Sequence, residues 1–357
     1  MIKRMDRILA DTEQPGLDEL RVLLDELLGG PGRTGHWLDQ TRLKPRSERV
    51  YRLRFVIDDQ LRSVVVKRLR PEIARRNELV AQRWLPAIGL SGRGAPVLGS
   101  AAARKGGWVW HVYEDLGQCE LNPDQADRER VRAAVELIAQ VHTRFASQPL
   151  LGEVRLHGGD FGISFHEAAV RDALRALAAW QPPGDCWALR ARLLRRLHRL
   201  HDQLPQRAQA LAAFGGPETL LHGDLWAVNV FVIPTARGLR AQLIDWDHAA
   251  VGPFTYDLST FLLRFPAEQR RWVLELYRQA VAPAGWRLPA VQVLNSLFET
   301  HEYARIVNRL IWPAIAQVTD HAQWGAEALT EVGHWFELLA PVLPRDEGRR
   351  PAQLVPA

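Results

Sequence analysis

Cysteine is nearly absent from this chain: 357 residues contain two, Cys119 and Cys186. Two thiols cannot build a disulfide framework, and without a Cys-x-x-Cys pair there is no sign of a thiolate zinc site. Both are expected to be small apolar side chains in the interior. Long apolar runs are missing as well. No segment reaches the roughly 18 uncharged residues that a membrane span needs, and the opening "MIKRMDRILA" carries charge throughout, without the apolar centre of a signal peptide. The expectation is a soluble cytoplasmic protein with no membrane partner. Internal repeats and low-complexity segments are also absent, which leaves little room for a solenoid or a largely disordered chain.

Charge of one sign is only in slight excess. The net +5 comes from arginines scattered through stretches such as "ALRARLLRRLHRLHDQL". They lack the aromatic interleaving of a single-strand binder, so they read as a solvated helix face and no nucleic-acid partner is expected. After Asp257 acids and bases are about balanced. With 47% apolar and 24% charged residues, the chain has the composition of a globular protein and the length for two lobes with a sizeable core.

Apolar positions at helical spacing in residues 7 to 28 end at a glycine pair and Pro31, and predict an N-terminal helical extension over 1–40. The period then changes. "VYRLRFVI" and "LRSVVVKRL", separated by Asp58-Asp59-Gln60, alternate as a hairpin does. "PEIARRNELVAQRWLPAIGL" reads as a helix with proline at its first position, and "PVLGS" and "GWVWHVYEDL" supply two more strands. Long helical patterns follow at about 126–146, 164–180, 186–212, 267–281 and 290–318. A second hairpin, "VNVFVI" and "LRAQLID" around "PTARG", interrupts them. From Pro341 the chain turns proline-rich.

Just before that hairpin stands "LLHGDLWAVNV". Asn229 and Asp245 are sixteen residues apart and equidistant from Arg237 in the turn, so the hairpin brings them near one another. Cross-strand neighbours lie about 5 Å apart, close enough for an amide oxygen and a carboxylate to share Mg²⁺, which wants oxygen ligands. Asp224 enters the same end as a carboxylate near the metal without being consumed by it, which suits a general base. Phosphoryl transfer also wants a cation on the nucleotide phosphates. Lys67 closes the apolar run "VVVK", and Glu78 follows on the next helix as its expected partner; the other acid, Glu72, comes too early in that helix. Turn capping by Asp224 and Asn229 is the alternative for each residue taken singly.

The set "VVVKRL", "NELVAQRWL", "VYEDLG", "LLHGDLWAVNV" and "LIDWDHAAVGPFTYDLS" resembles the aminoglycoside phosphotransferase family, small-molecule kinases of the protein-kinase-like fold, over about residues 40 to 340. The His-x-Asp with Asn five past the Asp matches the kinase catalytic loop, with Gly223 where protein kinases have Arg. The resemblance implies an α+β, bilobal protein-kinase-like fold: an antiparallel-sheet N-lobe with one key helix at 41–115, a larger, mainly helical C-lobe at 116–345, and a tail at 346–357. It implies Asp224 as catalytic base, Asn229 and Asp245 on Mg²⁺, Lys67 paired with Glu78 on phosphate oxygens, and His222 and Asp257 supporting the loop. Tyr113, Glu114 and Leu116 would form the hinge that meets the adenine of ATP, or the base of GTP. Asp247, Glu299 and Glu302 are candidates for contact with the acceptor.

Two departures stand out. Trp226 occupies a position where many family members have His, and is expected to pack under the loop. The phosphate loop reads "LKPRSERVYRL" in place of glycines, and Pro45 has no N–H to donate; Arg46 and Ser47 are the candidates to replace those contacts. The "HGGDFG" at 157–162 contains Asp-Phe-Gly but precedes the catalytic loop, so Asp160 is expected in a turn or cap. The reading is a kinase acting on a small-molecule hydroxyl, with a sugar, amino alcohol or natural-product intermediate preferred to an aminoglycoside as acceptor. A nucleotide-binding pseudokinase, and a metal-dependent hydrolase built on His222, Asp224, Asp245, Asp247 and His248, are the competing readings.

Overall fold

The computed structural model describes residues 2–344 except 11, 31, 45–48, 183 and 185. From the N-terminus run β1 (Ile2–Lys3), α1 (Leu17–Leu28), β2 (Gly35–Arg42), β3 (Val50–Ile57), β4 (Gln60–Leu69), α2 (Pro71–Leu79), α3 (Leu85–Ala87), β5 (Val97–Ala102) and β6 (Val109–Glu114). Next come α4 (Arg128–Phe145), α5 (Leu151–His157), α6 (Ile163–Ala179), α7 (Cys186–Phe214), β7 (Glu218–Leu221), β8 (Val230–Thr235), β9 (Gly238–Leu243) and β10 (Ala250–Pro253). The chain continues with α8 (Thr255–Leu263), α9 (Ala267–Val281), α10 (Val291–Thr319) and α11 (Gln323–Leu338). They fall into two compact units. The first holds everything up to Leu121 together with residues 156–158 and 228–249; the second holds the remainder.

The first unit is built on a six-stranded sheet in the order β1-β2-β3-β4-β6-β5, antiparallel except for the β1–β2 pair. The alternation expected of β3 and β4 is real. Tyr51, Leu53, Phe55 and Ile57 and their partners Val64 and Val66 face one core, with Trp110 and Val112 of β6. Asp58 and Asp59 at the turn both have left-handed backbone, φ 49° and 60°, which matches the twist of a two-residue hairpin loop. Helix α1 covers this face with Leu20 and Leu24, both fully buried, each worth about 1.5–3 kcal/mol of apolar burial.

Residues 1–40 are therefore not a helical extension. Ile2, Ile8 and Leu9 are core residues, β1 and β2 are strands of the sheet, and the Trp110 indole donates to the Pro15 carbonyl at 2.9 Å. The β8–β9 hairpin also belongs to the first unit, because its backbone is taken up there. Leu121 N–H donates to Val230 O, Val232 N–H to Cys119 O and Leu243 N–H to Arg93 O, each at 2.8 Å.

In the second unit, α6, α7, α10 and α11 enclose a core that includes Val170, Leu177, Leu193, Leu197, Val307, Leu310 and Leu329. The antiparallel pair β7–β10 sets Leu221 opposite Ala250 and so fixes the start of the loop that follows β7. Both cysteines are half-buried and unbonded to one another, not interior as expected. No described helix is long and apolar enough to cross a membrane.

Candidate active site

Lys67, near the end of β4, carries the strongest charge cluster of the first unit. Its Nζ donates to Asp245 Oδ1 and, at 2.7 Å, to Asp247 Oδ1. Lys44 Nζ reaches the other Asp245 oxygen at 2.8 Å, and Asn77 Nδ2 of α2 reaches Asp247 Oδ1 at 3.0 Å. Arg76 donates to the Asp247 carbonyl. Burial pulls the Lys67 ammonium down, but Asp245 and Asp247 outweigh it and hold it above its usual range. Burial likewise pushes the Asp245 carboxyl up, and Lys67 and Lys44 more than reverse this, leaving it far below the usual carboxylate range. Asp245 also has left-handed backbone, φ 64°, a conformation an L-residue adopts at a cost.

A cavity of about 520 Å³ lies against this cluster within the first unit, lined among others by Lys44, Lys67, Tyr113, Leu116, Asn229 and Asp245. Glu114 lines it too, so the three expected hinge residues border one space. Asp115 between them is pinned. Arg52 Nη2 donates to its carboxylate at 3.0 Å and Ser63 Oγ at 2.5 Å, and these bonds overcome the upward push of burial to keep its pKa low. Asn229 and Asp245 offer an amide and an ionised carboxylate to the same cavity. Both carry hard oxygen donors of the kind Mg²⁺ takes, with phosphate oxygens and water to complete its shell. The donor set fits that ion.

Two details differ from the sequence reading. Lys67 does not pair with Glu78. His111 stands directly across from Lys67 on β6 and takes Glu78 at 3.3 Å, and Arg75 adds a contact at 3.9 Å; Lys67 is already spent on two carboxylates. In the β8–β9 hairpin, Thr235 pairs with Gly238 around a two-residue turn, and Val230 pairs with Leu243. That register sets Ile244, not Asp245, across from Asn229, and Ile244 N–H donates to Asn229 O at 2.9 Å. Ser47 lies outside the described residues. Among the described residues, no three His, Cys, Asp or Glu side chains are placed to hold a metal ion.

In the second unit, the loop after β7 is organised by Asp257 of α8, a fully buried carboxylate. It accepts His222 N–H at 2.6 Å and Gly223 N–H at 2.9 Å, and faces His142 Nε2 at 3.5 Å. Burial raises its pKa, yet His142 and the His222 contacts bring it below the usual value. Gly223 has φ 81°, which explains glycine at this position. His222 is buried, and its Nδ1 lies 3.3 Å from Asp224 N. Asp224 is half-buried, and its carbonyl accepts Trp226 N–H at 2.8 Å. Trp226 is half-buried, and the Arg264 guanidinium lies over its ring, 3.6 Å from the centroid.

The acids proposed for acceptor contact are already engaged. Asp247 is in the Lys67 cluster of the first unit. Glu302 is buried against Arg305 and accepts from Ser259 Oγ at 2.8 Å. Glu299 meets Arg207 at 3.0 Å and the Tyr303 hydroxyl at 3.1 Å. Asp160 makes a turn, accepting Gly162 N–H at 2.8 Å and pairing with Arg155 at 2.7 Å. Lys44, Asn77, Arg52 and Arg264 are site residues that no motif in the sequence marks. A polar side chain such as Asn77, buried in the otherwise amphipathic α2, was the one signal available.

The fold is that of protein-kinase-like small-molecule kinases, an antiparallel sheet with its key helix and lysine accompanied by a mainly helical unit. The model of the phosphotransferase enzyme family, APH, matches residues 43–290. The chain belongs to this family of phosphotransferase enzymes. Among solved structures it is similar to choline kinase LicA from Streptococcus pneumoniae, at 13% identity, 90% of this chain and 98% of that one, and TM-score 0.52. It is similar to a choline/ethanolamine kinase family protein from Mesorhizobium loti, at 16%, 90% and 94%, and 0.54. It is also similar to spectinomycin phosphotransferase solved with ADP and spectinomycin, at 14%, 91% and 95%, and 0.56. No curated protein sequence matches the chain.

Proposed function

We propose that this chain transfers the γ-phosphate of ATP, with GTP as the alternative donor, directly to a hydroxyl of a small molecule. The observation that carries this reading is Lys67, held between Asp245 and Asp247 in the wall of the cavity that Tyr113, Glu114 and Leu116 also line. In this reading the cavity takes the nucleotide, with the 113–116 backbone at the base and Lys67 on the phosphates. The two acids leave the ammonium fixed and charged, so it needs little reorganisation to meet phosphate oxygens. Asn229 and Asp245 would hold Mg²⁺, which supplies neutralisation of phosphate charge. Asp224 accepts the hydroxyl proton as the oxygen–phosphorus bond forms and the bond from the γ-phosphorus to the bridging oxygen of ADP breaks. Asp257, through His222 and Gly223, positions the loop that carries Asp224. The acceptor is a metabolite hydroxyl in preference to an aminoglycoside.

The test is Mg-dependent ADP release over pooled hydroxyl compounds, with Asp224→Asn as the blank. The variant is expected to lose about 10²–10⁴-fold in kcat while Mg-ATP still raises its melting temperature. Retention of most of the turnover by Asp224→Asn would remove Asp224 from the chemistry. Failure of ATP to stabilise either protein would remove the cavity as the nucleotide site.

A further inference from the structure

Several arginines of the second unit are held by other groups. Arg305 is buried and donates to Ser259 Oγ at 3.0 Å, to Glu302 and to the Tyr256 carbonyl. Arg207 holds Glu299 and Thr300, and Arg196 holds the Tyr303 hydroxyl. Arg264 differs. It ends α8, its guanidinium lies on the Trp226 ring, and its Nε is buried without an acceptor; among the described residues it has no ion pair and no side-chain hydrogen bond. Trp226 is two residues past Asp224 and is tied to it by the backbone bond already described. Burial pulls the Arg264 guanidinium down, countered by Glu302 and Asp224, while Arg305 and Arg309 add to the positive field.

A half-desolvated cation without a direct ion pair costs free energy in the folded state, so its retention suits a ligand. Guanidinium is also the side chain whose planar fork matches a carboxylate or phosphate with two parallel hydrogen bonds. The Trp226 ring holds the guanidinium by its charge, and among the described residues none takes its terminal nitrogens. An amine placed on Arg264 itself would meet its charge with repulsion.

We propose that Arg264, lying over Trp226 beside Asp224, binds an anionic group of the acceptor, so that the acceptor is a hydroxy compound carrying a carboxylate or phosphate and not an amine. This deepens the kinase reading above and rests on its assignment of Asp224. The relatives whose names record choline, ethanolamine or spectinomycin would then differ from this chain in acceptor charge.

The experiment separates binding from turnover. Calorimetry with Asp224→Asn protein and Mg-ADP measures binding of glycerate, gluconate and glucose 6-phosphate against ethanolamine, glucose and streptomycin, and ADP release is followed on the active protein with the same compounds. One or more anionic probes are expected to bind. Arg264→Met is expected to weaken that binding, and to raise KM, by about 10- to 100-fold with kcat changed far less. Arg264→Lys is expected to recover part of the loss, since it keeps the charge without the fork. Gluconate without glucose 6-phosphate, or the reverse, tells carboxylate from phosphate. Binding of an anionic probe that Arg264→Met abolishes, without ADP release, keeps the inference and discards the kinase reading. Release with amines or neutral sugars alone keeps the kinase and overturns the inference, as do an unchanged KM in Arg264→Met and an absence of binding by every anionic probe.

Discussion

Two cations, Lys67 of the first unit and Arg264 of the second, are held in opposite ways. In the first, Lys67 touches two carboxylates, one of them shared with Lys44 and the other with Asn77, so each charge in the cluster has a partner. In the second, Arg264 rests on an indole with no carboxylate of its own. A cation enclosed by acids keeps its place and its proton whatever binds. A cation left on an aromatic face has its hydrogen-bonding capacity in reserve. The first arrangement suits a group that must stand ready for phosphate; the second suits a group that selects among ligands.

If that contrast is right, the same kind of substitution should have unequal effects on stability. Lys67→Met strips the counter-ion from two carboxylates, and its side chain is only 12% exposed, so a loss of about 3–5 kcal/mol is expected in denaturant unfolding. Adding Asp247→Asn should recover part of it. Arg264→Met removes no ion pair and should cost at most about 1 kcal/mol. Similar losses in the two single variants would erase the distinction between the units.

How far the sequence foretold these sites depends on the range of the interaction. The β3–β4 and β8–β9 hairpins and the five long helices were legible because their periods are local. The expected helix at 126–146 is observed at Arg128–Phe145, and that at 290–318 at Val291–Thr319. Strand β2 was not, since "GHWLDQTR" alternates poorly and all eight residues are only half-buried or exposed. Strands β7 and β10 are four residues each, too short to show a period. Helix α11 went unread beside the proline-rich end. Lys67 could be picked out by the apolar triplet before it, but its partner could not. Helical spacing pointed to Glu78, eleven residues on, whereas the acids that hold it lie 178 and 180 residues away, and His111 across the sheet claims Glu78. The Asn229–Asp245 spacing gave the right neighbourhood and the wrong register by one residue, because the turn is the two residues between Thr235 and Gly238 and is not centred on Arg237. Nothing local distinguished Arg264 from the other arginines.

Asp257 brings acid pH into the comparison, because its bonds hold the Asp224 loop through backbone alone. Asp257→Asn should cost about 1–3 kcal/mol at pH 7, where the carboxylate and its two N–H partners are intact. The carboxyl is depressed in the folded state, so its contribution is full above the unfolded value of about 3.9 and is lost as pH falls through the lower folded value. The gap between wild type and variant should therefore close below about pH 4 in denaturant midpoints taken from pH 7 to 3. A gap that stays constant over that range would mean the interaction does not depend on ionisation.

A comparably small effect is expected at Gly223, and it contrasts with Asp245, a left-handed residue of the first unit. Asp245 bears its φ of 64° with a carboxylate gripped by two lysines; Gly223 sits at φ 81° with no side chain, its N–H on Asp257. Gly223→Ala adds a Cβ where L-residues are disfavoured, and about 1 kcal/mol of stability should go. Because relaxing that φ would turn the N–H off Asp257, kcat should fall several-fold while nucleotide binding, measured by calorimetry, is unchanged. Asp245→Gly should do the reverse, easing the backbone but weakening nucleotide binding by removing the carboxylate from the cavity. If Gly223→Ala weakened nucleotide binding as much as Asp245→Gly, the loop of the second unit and the cluster of the first would be acting as one element, and the division of labour argued from their charges would not hold.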